Sequence, residues 1–312
     1  MDQKNLKPHS KLHWQSQMVL LLVVPFVAID VLLQSQFFIQ QLPHVAIWTL
    51  GLSLLLGLVV LKLKAATPAG AATGVLLTAS LMFSTLTFPY QPWNTGLVPV
   101  LAVSLLAHFA TRMGRAQKER LGTAEEKHGR AASQVAANLG FAALVLTQNV
   151  QSWLIQSRLI QSRLIDSHWF ARGGTVPIPI FAVGLAALAE AAADTVSSEI
   201  GQVLGGRPRM ITTLRTAEPG TDGAISFAGT LAGIVAGLMV ALAGTLALRG
   251  DMHLFWISSA GAIFGLLFDS LLGATLERRG WLNNDAVNFL STASASAFAL
   301  GILAIIPHSG VG

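Results

Sequence analysis

Runs of apolar residues close to the length of a membrane span recur along the whole chain. A helix needs roughly 20 mostly apolar residues to cross the hydrocarbon core of a bilayer. Only 11% of the 312 residues are charged, and the mean hydropathy is +0.60. Soluble domains carry about 25% charged residues, so a soluble enzyme and a disordered protein are both excluded. The spans that the sequence predicts are Met18–Phe38, His44–Leu61, Ala69–Phe88, Gly96–Ala110, Gln134–Val150, Pro177–Ile200, Ile225–Leu248, Leu254–Leu276 and Ala286–Ile306.

These spans predict an all-α fold, a polytopic membrane helix bundle of about nine transmembrane helices in contact with the lipid bilayer. Residues 1–17 are expected to form a cytoplasmic leader, and 18–312 a single transmembrane domain. The chain has no Cys, which excludes disulfides, thiolate metal sites and a Cys nucleophile. The eight His residues show no spacing typical of a zinc site.

The distribution of Lys and Arg predicts the orientation of the spans. Of the 20 basic residues, 16 fall in connections on the side of the N-terminus, and four fall on the other side: Arg158, Arg163, Arg172 and Arg249. Because cytoplasmic loops carry an excess of Lys and Arg, the N-terminus is predicted to be cytoplasmic and the C-terminus to lie on the far side. In a bacterium this would be the inner or plasma membrane. The net charge of +5 is attributed to these loops, and no nucleic-acid partner is expected.

Carboxylates are concentrated between residues 190 and 285, and among them Glu190, Asp194 and Asp269 lie inside predicted spans. An acidic residue in a span costs about 2.5–3.5 kcal/mol on insertion scales and is a functional candidate by default. At 1.5 Å per residue, Asp194 is about 26 Å and Asp269 about 22 Å from the outer end of its span, in the cytoplasmic third of the membrane. Asp194 and Glu199 are roughly 140° apart on a regular helix, so they share one ion only if that helix is distorted, or else they have different roles.

Polar connections lie on the same predicted face. The segment Gly220-Thr-Asp-Gly-Ala-Ile-Ser226 leads into a span, where free backbone amides could bind phosphate, but the same residue types are ordinary turn and capping residues. The basic connection 111–130 could contact phosphates or merely follow the positive-inside rule. Glycines recur at four-residue spacing in the seventh and eighth spans and predict close helix packing (Gly229, Gly233, Gly237, Gly261, Gly265).

Five motifs follow one another in a distinctive order: Asp194-Thr-x-x-Ser-Glu-x-Gly201, Pro208-Arg-Met-Ile-Thr-Thr213, Pro219-Gly-Thr-Asp-Gly-x-x-Ser226-x-x-Gly-Thr230, Asp269-Ser-Leu-Leu-Gly-Ala-Thr275 and Asn284-Asp-x-x-Asn-Phe289. With the basic stretch from Lys118 to Arg130, they closely resemble the integral-membrane family of transmembrane protein 19 and the plant and cyanobacterial phytyl-phosphate kinases, a DUF92-type family. The resemblance covers roughly residues 100–306. Two positions depart from the expected pattern, the Glu-Glu-Lys-His-Gly-Arg run that ends at Arg130 and the acid Glu190.

The resemblance implies a kinase that phosphorylates a prenyl monophosphate, such as phytyl or geranylgeranyl phosphate, from a nucleoside triphosphate such as CTP, with its active face cytoplasmic. Mg²⁺ is the expected cofactor. The predicted catalytic residues are Asp194, Glu199 and Asp269, and the predicted metal ligands are Asp194, Glu199, Asp269 and Asp285. Residues predicted to bind substrate or nucleotide are Lys118, Arg120, Lys127, Arg130, Gln134, Asn138, Thr195, Ser198, Arg209, Thr212, Glu218, Gly220, Thr221, Asp222, Gly223, Ser226, Ser270, Asn284 and Asn288.

Other functions stay open on the residues alone. A phosphate acceptor needs no general base, whereas a free alcohol would need one, with Asp194 or Glu199 the candidates. Another lipid-head-group enzyme, an isoprenoid alcohol kinase or a cytidylyltransferase-like protein, would show similar runs. An ion-coupled transporter would also carry acids in its spans, although the polar motifs gather on one face and no inverted repeat is evident. A non-catalytic scaffold does not account for the clustered acids.

Overall fold

The computed structural model describes residues 12–122, 129–156 and 178–305. Its helices are α1 (His13–Gln41), α2 (Pro43–Lys62), α3 (Pro68–Ser84), α4 (Leu97–Arg112), α5 (Arg115–Leu121), α6 (Ala132–Val145), α7 (Gln148–Gln156), α8 (Ile178–Leu204), α9 (Phe227–Ala247), α10 (Met252–Leu272) and α11 (Asn284–Ile305). A 3₁₀ turn spans Pro92–Asn94, and a π-helical turn, Gly273–Glu277, extends α10. Two short antiparallel strands, β1 (Arg209–Met210) and β2 (Ala224–Ile225), form a hairpin between α8 and α9.

The all-α membrane bundle is confirmed. Within the described ranges, six helices are long and apolar enough to cross a membrane: α1, α2, α8, α9, α10 with its π turn, and α11. Three shorter apolar helices, α3, α4 and α6, occupy the positions of the third, fourth and fifth predicted spans. The count of nine crossings and the side on which the chain begins stay predictions. The predicted leader 1–17 overlaps α1, which begins at His13, and residues 1–11 lie outside the described part.

Three predicted span boundaries are wrong, each because a local polar interaction ends or starts the helix. The third span stops at Ser84, where Thr85 Oγ1 donates to Leu81 O (2.6 Å) and accepts from Gly96 N (2.6 Å). The fifth stops at Val145, and Thr147 Oγ1 donates to Leu144 O (2.8 Å) before α7 begins. The seventh begins two residues later than predicted, because Ser226 caps α9 by accepting from Gly229 N (3.1 Å).

Helix α8 forms the centre of the bundle. It packs against α4, α6, α9, α10 and α11, and 89% of its most apolar stretch is buried, against 28% in α1. Its sequence from Ala182 to Ala193 is rich in Ala, which lets neighbouring helices approach closely. Side chains on α8 therefore lie inside protein, and its acids are placed by packing rather than by lipid contact.

The glycines predicted to allow close packing do so. A Cβ added to Gly233 of α9 would lie 2.6 Å from Ala193 O, and one added to Gly229 would lie 2.7 Å from Ser197 O. On α10, a Cβ at Gly261 would lie 2.6 Å from Ala295 O, and one at Gly265 would lie 2.5 Å from the Cγ of Glu190. Real Cβ atoms essentially never make such contacts, so these positions bring α9 and α10 unusually close to α8 and its carboxylates.

Several connections meet at one end of the bundle, which we call the polar end. The α2–α3 connection pairs with the segment that leads into α6 through the Ala66–Arg130 bridge. The start of α1 contacts the α10–α11 connection, where Gln15 Nε2 donates to Trp281 O (2.8 Å) and Gln15 Oε1 accepts from Asn283 N (2.8 Å). The end of α4, the end of α8, the β1–β2 hairpin and the π turn also lie there. Most of the predicted site residues belong to these segments.

Candidate active site

An acidic cluster lies between α8 and α10 near the polar end. The side chains of Asp194 and Asp269 are within hydrogen-bonding distance of each other. Glu190, one turn before Asp194, and Glu277, at the end of the π turn, both act electrostatically on Asp269. The close approach at Gly265 explains why α8 and α10 can bring these acids together. Two carboxyl groups come this close only when a proton or a cation lies between them.

The surrounding protein supplies hydrogen-bond partners for only some of the carboxylate oxygens in the cluster. The Ser291 hydroxyl of α11 donates to Asn288 O (2.9 Å) and lies close enough to Glu190 and Asp269 to interact with both. Within the described residues, Glu190 Oε1 and Asp269 Oδ2 are buried and have no hydrogen-bond partner. Unsatisfied buried carboxylate oxygens are rare and costly. The cluster is therefore arranged to interact with something besides the protein.

The donor set fits Mg²⁺. In the described part of the chain, no three His, Cys, Asp or Glu residues form a ready-made metal site. Mg²⁺, however, usually takes only one or two protein carboxylates and completes its shell with water and substrate phosphates. Asp194 and Asp269 supply two adjacent carboxylates, both only half-buried, and Asp269 has an oxygen without a partner. These two predicted ligands could hold the ion.

Arg130 is the cation that faces the acidic cluster. It attracts Asp194 electrostatically, and its Nη2 lies 3.5 Å from Thr195 Oγ1. Its backbone is held by the α2–α3 connection, because Arg130 N donates to Ala65 O (3.0 Å) and Arg130 O accepts from Thr67 N (3.0 Å). The structure therefore brings together the predicted phosphate-binding Arg130 and the predicted metal ligand Asp194.

Gly129 permits this arrangement of the chain before α6. Its φ is +75°, and a Cβ there would lie 2.5 Å from the carbonyl carbon of Ala65. Only glycine combines a positive φ with so close a backbone approach. The α2–α3 connection thus positions Arg130, although none of the motifs identified in the sequence lies within residues 1–100.

Lys118 and Glu199 meet each other instead of the acidic cluster. Lys118 Nζ lies 2.5 Å from Glu199 Oε2, and the lysine side chain is only 1% exposed. Lys118 Nζ also donates to Ala110 O (2.8 Å) and Thr111 O (3.3 Å), and Thr111 Oγ1 donates to Glu199 Oε1 (3.2 Å). The pair joins the C-terminus of α4 to α8. Lys118, which is predicted to bind phosphate, and Glu199, which is predicted to bind a metal, therefore each contact protein partners in the structure. Different roles for Asp194 and Glu199 were one of the two options left by helix geometry.

The turn predicted to bind phosphates lies beside the π turn. Gly223 has a φ of +72° and lies so close to Ala274 that an added Cβ would overlap the Ala274 backbone. Asp222 acts electrostatically on Glu277. Backbone hydrogen bonds from Thr221 N to Glu218 O (3.2 Å) and from Ala224 N to Thr221 O (3.0 Å) close the turn. Gly220, Thr221, Asp222 and Gly223 therefore lie next to the segment that follows Asp269.

Three predicted amide side chains form one network. Gln134 Oε1 accepts from Ala131 N (2.7 Å), Asn138 Nδ2 donates to Gln134 O (2.9 Å), and Asn288 Nδ2 donates to Asn138 Oδ1 (3.3 Å). This network ties α6 to α11. The N-cap of α11 is Asn283, whose Oδ1 accepts from Ala286 N (2.9 Å).

The remaining predicted residues are more scattered. Asp285 is buried in the first turn of α11, and Asn284 is exposed. Arg209 is exposed on β1, where its Nη1 donates to Leu214 O (3.3 Å), and Thr212 and Glu218 are exposed nearby. Ser198 and Ser270 donate to backbone oxygens of their own helices, and Arg120 is exposed on α5. Lys127 lies outside the described residues.

Comparison with known proteins covers most of the chain. The family described as "Integral membrane protein DUF92" matches residues 51–296. The chain belongs to this family. The match begins about fifty residues before the region in which the motifs are found, so it includes the second half of α2 and all of α3 together with the acidic cluster. The DUF92 assignment confirms the resemblance seen in the sequence.

Relatives of this DUF92 protein come from archaea, cyanobacteria and plants. An uncharacterised membrane protein of Methanocaldococcus jannaschii is 46% identical over 35% of this chain and 45% of its own length. An uncharacterised membrane protein of Synechocystis is 31% identical over 66% of this chain and 73% of its own. Protein VTE6, chloroplastic, of Arabidopsis thaliana is 27% identical over 72% of this chain and 63% of its own. No solved structure matches.

Three residues of this DUF92 protein make contacts that the sequence did not predict: Asp30, Ser291 and Glu277. Asp30, inside the first predicted span, accepts from Ser80 Oγ (3.3 Å) and Gln148 N (3.3 Å) and joins α1, α3 and α7. An acid within an apolar run was the available signal. Ser291 and Glu277 were also missed, because a Ser on an apolar helix and an acid at a span end carry no distinctive pattern.

Proposed function

We propose that this DUF92 protein is a membrane prenyl-phosphate kinase, which transfers the γ-phosphoryl group of a nucleoside triphosphate, with CTP the first candidate, to an isoprenoid monophosphate. The observation that supports it most is the Asp194–Asp269 pair, with its unsatisfied oxygen, opposite Arg130. Paired carboxylates beside an arginine are what phosphoryl transfer needs, since the chemistry relies on positioning and charge neutralisation.

The acceptor phosphate oxygen would attack the γ-phosphorus, and the bond from that phosphorus to the β-bridging oxygen would break. The products are a prenyl diphosphate and a nucleoside diphosphate. Mg²⁺ held by Asp194 and Asp269 would supply charge neutralisation on the donor phosphates. Arg130 would bind the phosphate being transferred or the acceptor phosphate, and its two-pronged guanidinium suits that geometry.

The donor phosphates would lie against the turn from Gly220 to Gly223. That turn borders the π turn after Asp269, and it leads through β2 into the N-terminus of α9. Backbone amides at a helix N-terminus favour anions. No general base is required for an acceptor that is already anionic. Lys118 and Glu199 would take no part in the chemical step, because the two side chains form an ion pair with each other.

The test is a phosphorylation assay on detergent-purified protein. Radiolabelled γ-phosphate donors (CTP, ATP, GTP and UTP) are paired with phytyl and geranylgeranyl monophosphates and with the free alcohols. Asp194→Asn and Asp269→Asn remove one carboxylate each. Asp30→Asn is the matched control, since Asp30 is also a buried carboxylate within an apolar helix but lies with α3 and α7.

Label in a prenyl diphosphate that disappears with Asp194→Asn and persists with Asp30→Asn supports the kinase. Label only in a monophosphate assigns an alcohol kinase instead. A parallel reaction with CTP labelled at its α-phosphate, if it leaves label in the lipid, assigns a cytidylyltransferase. The absence of all transfer by folded protein, together with proton- or sodium-coupled flux in liposomes, assigns a transporter.

A further inference from the structure

A cavity of about 280 Å³ lies between α2, α3, α4 and α6, and Arg130, which acts electrostatically on Asp194, is one of its lining residues. Its inner walls are apolar, formed by residues such as Leu56, Val100, Val103 and Leu139. In the described part of the chain, α4 packs little against α3 and less against α2. The cavity therefore lies between helices that flank it without closing on each other within the membrane region.

The end of the cavity at the polar end is basic. Lys64, Arg112, Arg115 and Arg130 line it together with His108, and no Asp or Glu is among its described lining residues. Lys64, Arg112 and Arg115 are exposed. Arg112 Nη2 donates to Leu63 O (3.3 Å), which holds it across the end of α2, and Arg115 pairs with Glu119 (3.1 Å). A small anionic group at this end would meet several cations.

Glycine and alanine make the room between α2, α3 and α6. The small lining residues include Gly57, Gly70, Gly74, Ala66 and Ala71. Gly70 is needed for backbone approach, since a Cβ there would overlap Arg130 O. Gly74 differs, because the nearest atom to an added Cβ is Val135 Cγ1 at 3.9 Å. A side chain at position 74 would thus enter the cavity without displacing the backbone.

An apolar cleft with a cationic end matches one class of molecule, a lipid with a single apolar chain and a phosphate head. We infer that this cavity is the acceptor site: the isoprenoid chain lies between α2, α3, α4 and α6, its phosphate contacts Lys64, Arg112 and Arg130, and Gly74 sets how much chain can enter. Arg130 belongs both to the cavity and to the acidic cluster, so the bound phosphate lies next to the phosphoryl-transfer site. The isoprenoid nature of the chain rests on the proposed function, whereas the anionic head and the apolar tail rest on the cavity.

The experiment measures binding and requires no turnover. Purified protein is photolabelled with a geranylgeranyl monophosphate analogue that carries a diazirine near the end of its chain, without nucleotide or Mg²⁺, and labelled peptides are identified by mass spectrometry. Labelling is expected on α2, α3 and α4 and should be competed by unlabelled geranylgeranyl monophosphate. The geranylgeraniol form of the probe separates the contribution of the phosphate from that of the chain.

Gly74→Leu is expected to lower labelling at least about tenfold, because overfilling a shaped site costs this much binding. Gly51→Leu is the matched control: Gly51 lies within α2, an added Cβ there contacts nothing within 4 Å, and the residue does not line the cavity. Gly74→Ala gives an intermediate loss if the larger variant folds poorly. Lys64→Gln with Arg112→Gln should weaken labelling by the monophosphate and leave labelling by the alcohol unchanged.

Labelling confined to α9, α10 or α11, or equal labelling of Gly74→Leu and Gly51→Leu, overturns the inference. Displacement of the probe by CTP alone would assign the cavity to the nucleotide and also overturn it. Cavity labelling in a protein without kinase activity keeps the lipid site and rejects the kinase. Kinase activity with label elsewhere keeps the kinase and rejects this site.

Discussion

The carboxyl groups of Asp194 and Asp269 meet within hydrogen-bonding distance across the interface of α8 and α10. Each helix carries its acid in an apolar stretch, where a lone charge would be costly. Together, with Arg130 opposite and one oxygen of Asp269 unsatisfied, they form the site that we propose holds a cation and its phosphate ligands. The predictions below separate this site from the structural interactions around it.

Asp194 and Asp269 should act as a unit. We expect Asp194→Asn and Asp269→Asn each to lower kcat at least about 100-fold, the usual effect of losing a preorganised electrostatic contact. The double variant should be little worse than either single variant, because residues that act together are not additive. Steady-state kinetics at saturating CTP and geranylgeranyl monophosphate measure this. Additive losses in kcat would show that the two carboxylates contribute separately.

Removing either carboxylate should not destabilise the bundle. The cluster contains several acids in mutual repulsion, and an amide keeps the size of the side chain while removing one charge. The unfolding temperature of Asp269→Asn in detergent should therefore equal or exceed that of the unmodified protein. A large fall would mean that Asp269 has a structural role in place of the proposed one.

Arg130 should need its guanidinium and not merely its charge. Arg130→Lys keeps a cation but loses the paired donors that suit a phosphate, and Lys has a different reach. We expect a loss of at least about tenfold in kcat/KM for the lipid phosphate, with Arg130→Gln worse. Arg249→Lys, at an exposed arginine in the connection between α9 and α10, is the control and should be unchanged. Full activity of Arg130→Lys would argue against a bidentate contact.

Lys118 and Glu199 should matter for stability. Leaving one buried partner without the other usually costs about 3–5 kcal/mol of unfolding free energy, so Lys118→Met alone should be strongly destabilised. Lys118→Met with Glu199→Gln should recover much of that loss and retain kcat. Thermal unfolding and the phosphorylation assay are run on the same preparations. A folded double variant without activity would restore the catalytic role predicted for Glu199.

Gly223 should tolerate no side chain. Both Gly223 and Gly280 have positive φ, +72° and +70°, but a Cβ at 223 would overlap the Ala274 backbone, whereas at 280 it would contact nothing within 4 Å. Gly280→Ala should therefore lower the free energy of unfolding only by the cost of holding alanine in the left-handed conformation, about 1–2 kcal/mol. Gly223→Ala should lose more stability and also raise KM for the nucleotide, by moving the turn away from the π turn. If Gly223→Ala and Gly280→Ala have the same effect on stability and the same effect on KM for the nucleotide, the turn lies outside the site.

Much of the fold could be predicted because hydropathy and local residue type act within one helix. The apolar runs located the helices, and the glycines at 229, 233 and 261 correctly predicted close packing. Helix ends were predicted less well at Ser84 and Val145, because side-chain hydrogen bonds from Thr85 and Thr147 end those helices before the apolar run does. Such bonds depend on neighbours that a hydropathy pattern does not contain.

The sequence by itself determined that this is a helical membrane protein of the DUF92 family and that Glu190, Asp194 and Asp269 are unusual in their positions. Only the tertiary structure decided which charges meet: Asp194 with Asp269 and Arg130, and Glu199 with Lys118. It also showed that the α2–α3 connection holds Arg130 and that α2, α3 and α4 surround a cavity with a basic end. The periodicity of a helix defines its faces, but which helix lies against each face depends on packing between segments far apart in the chain.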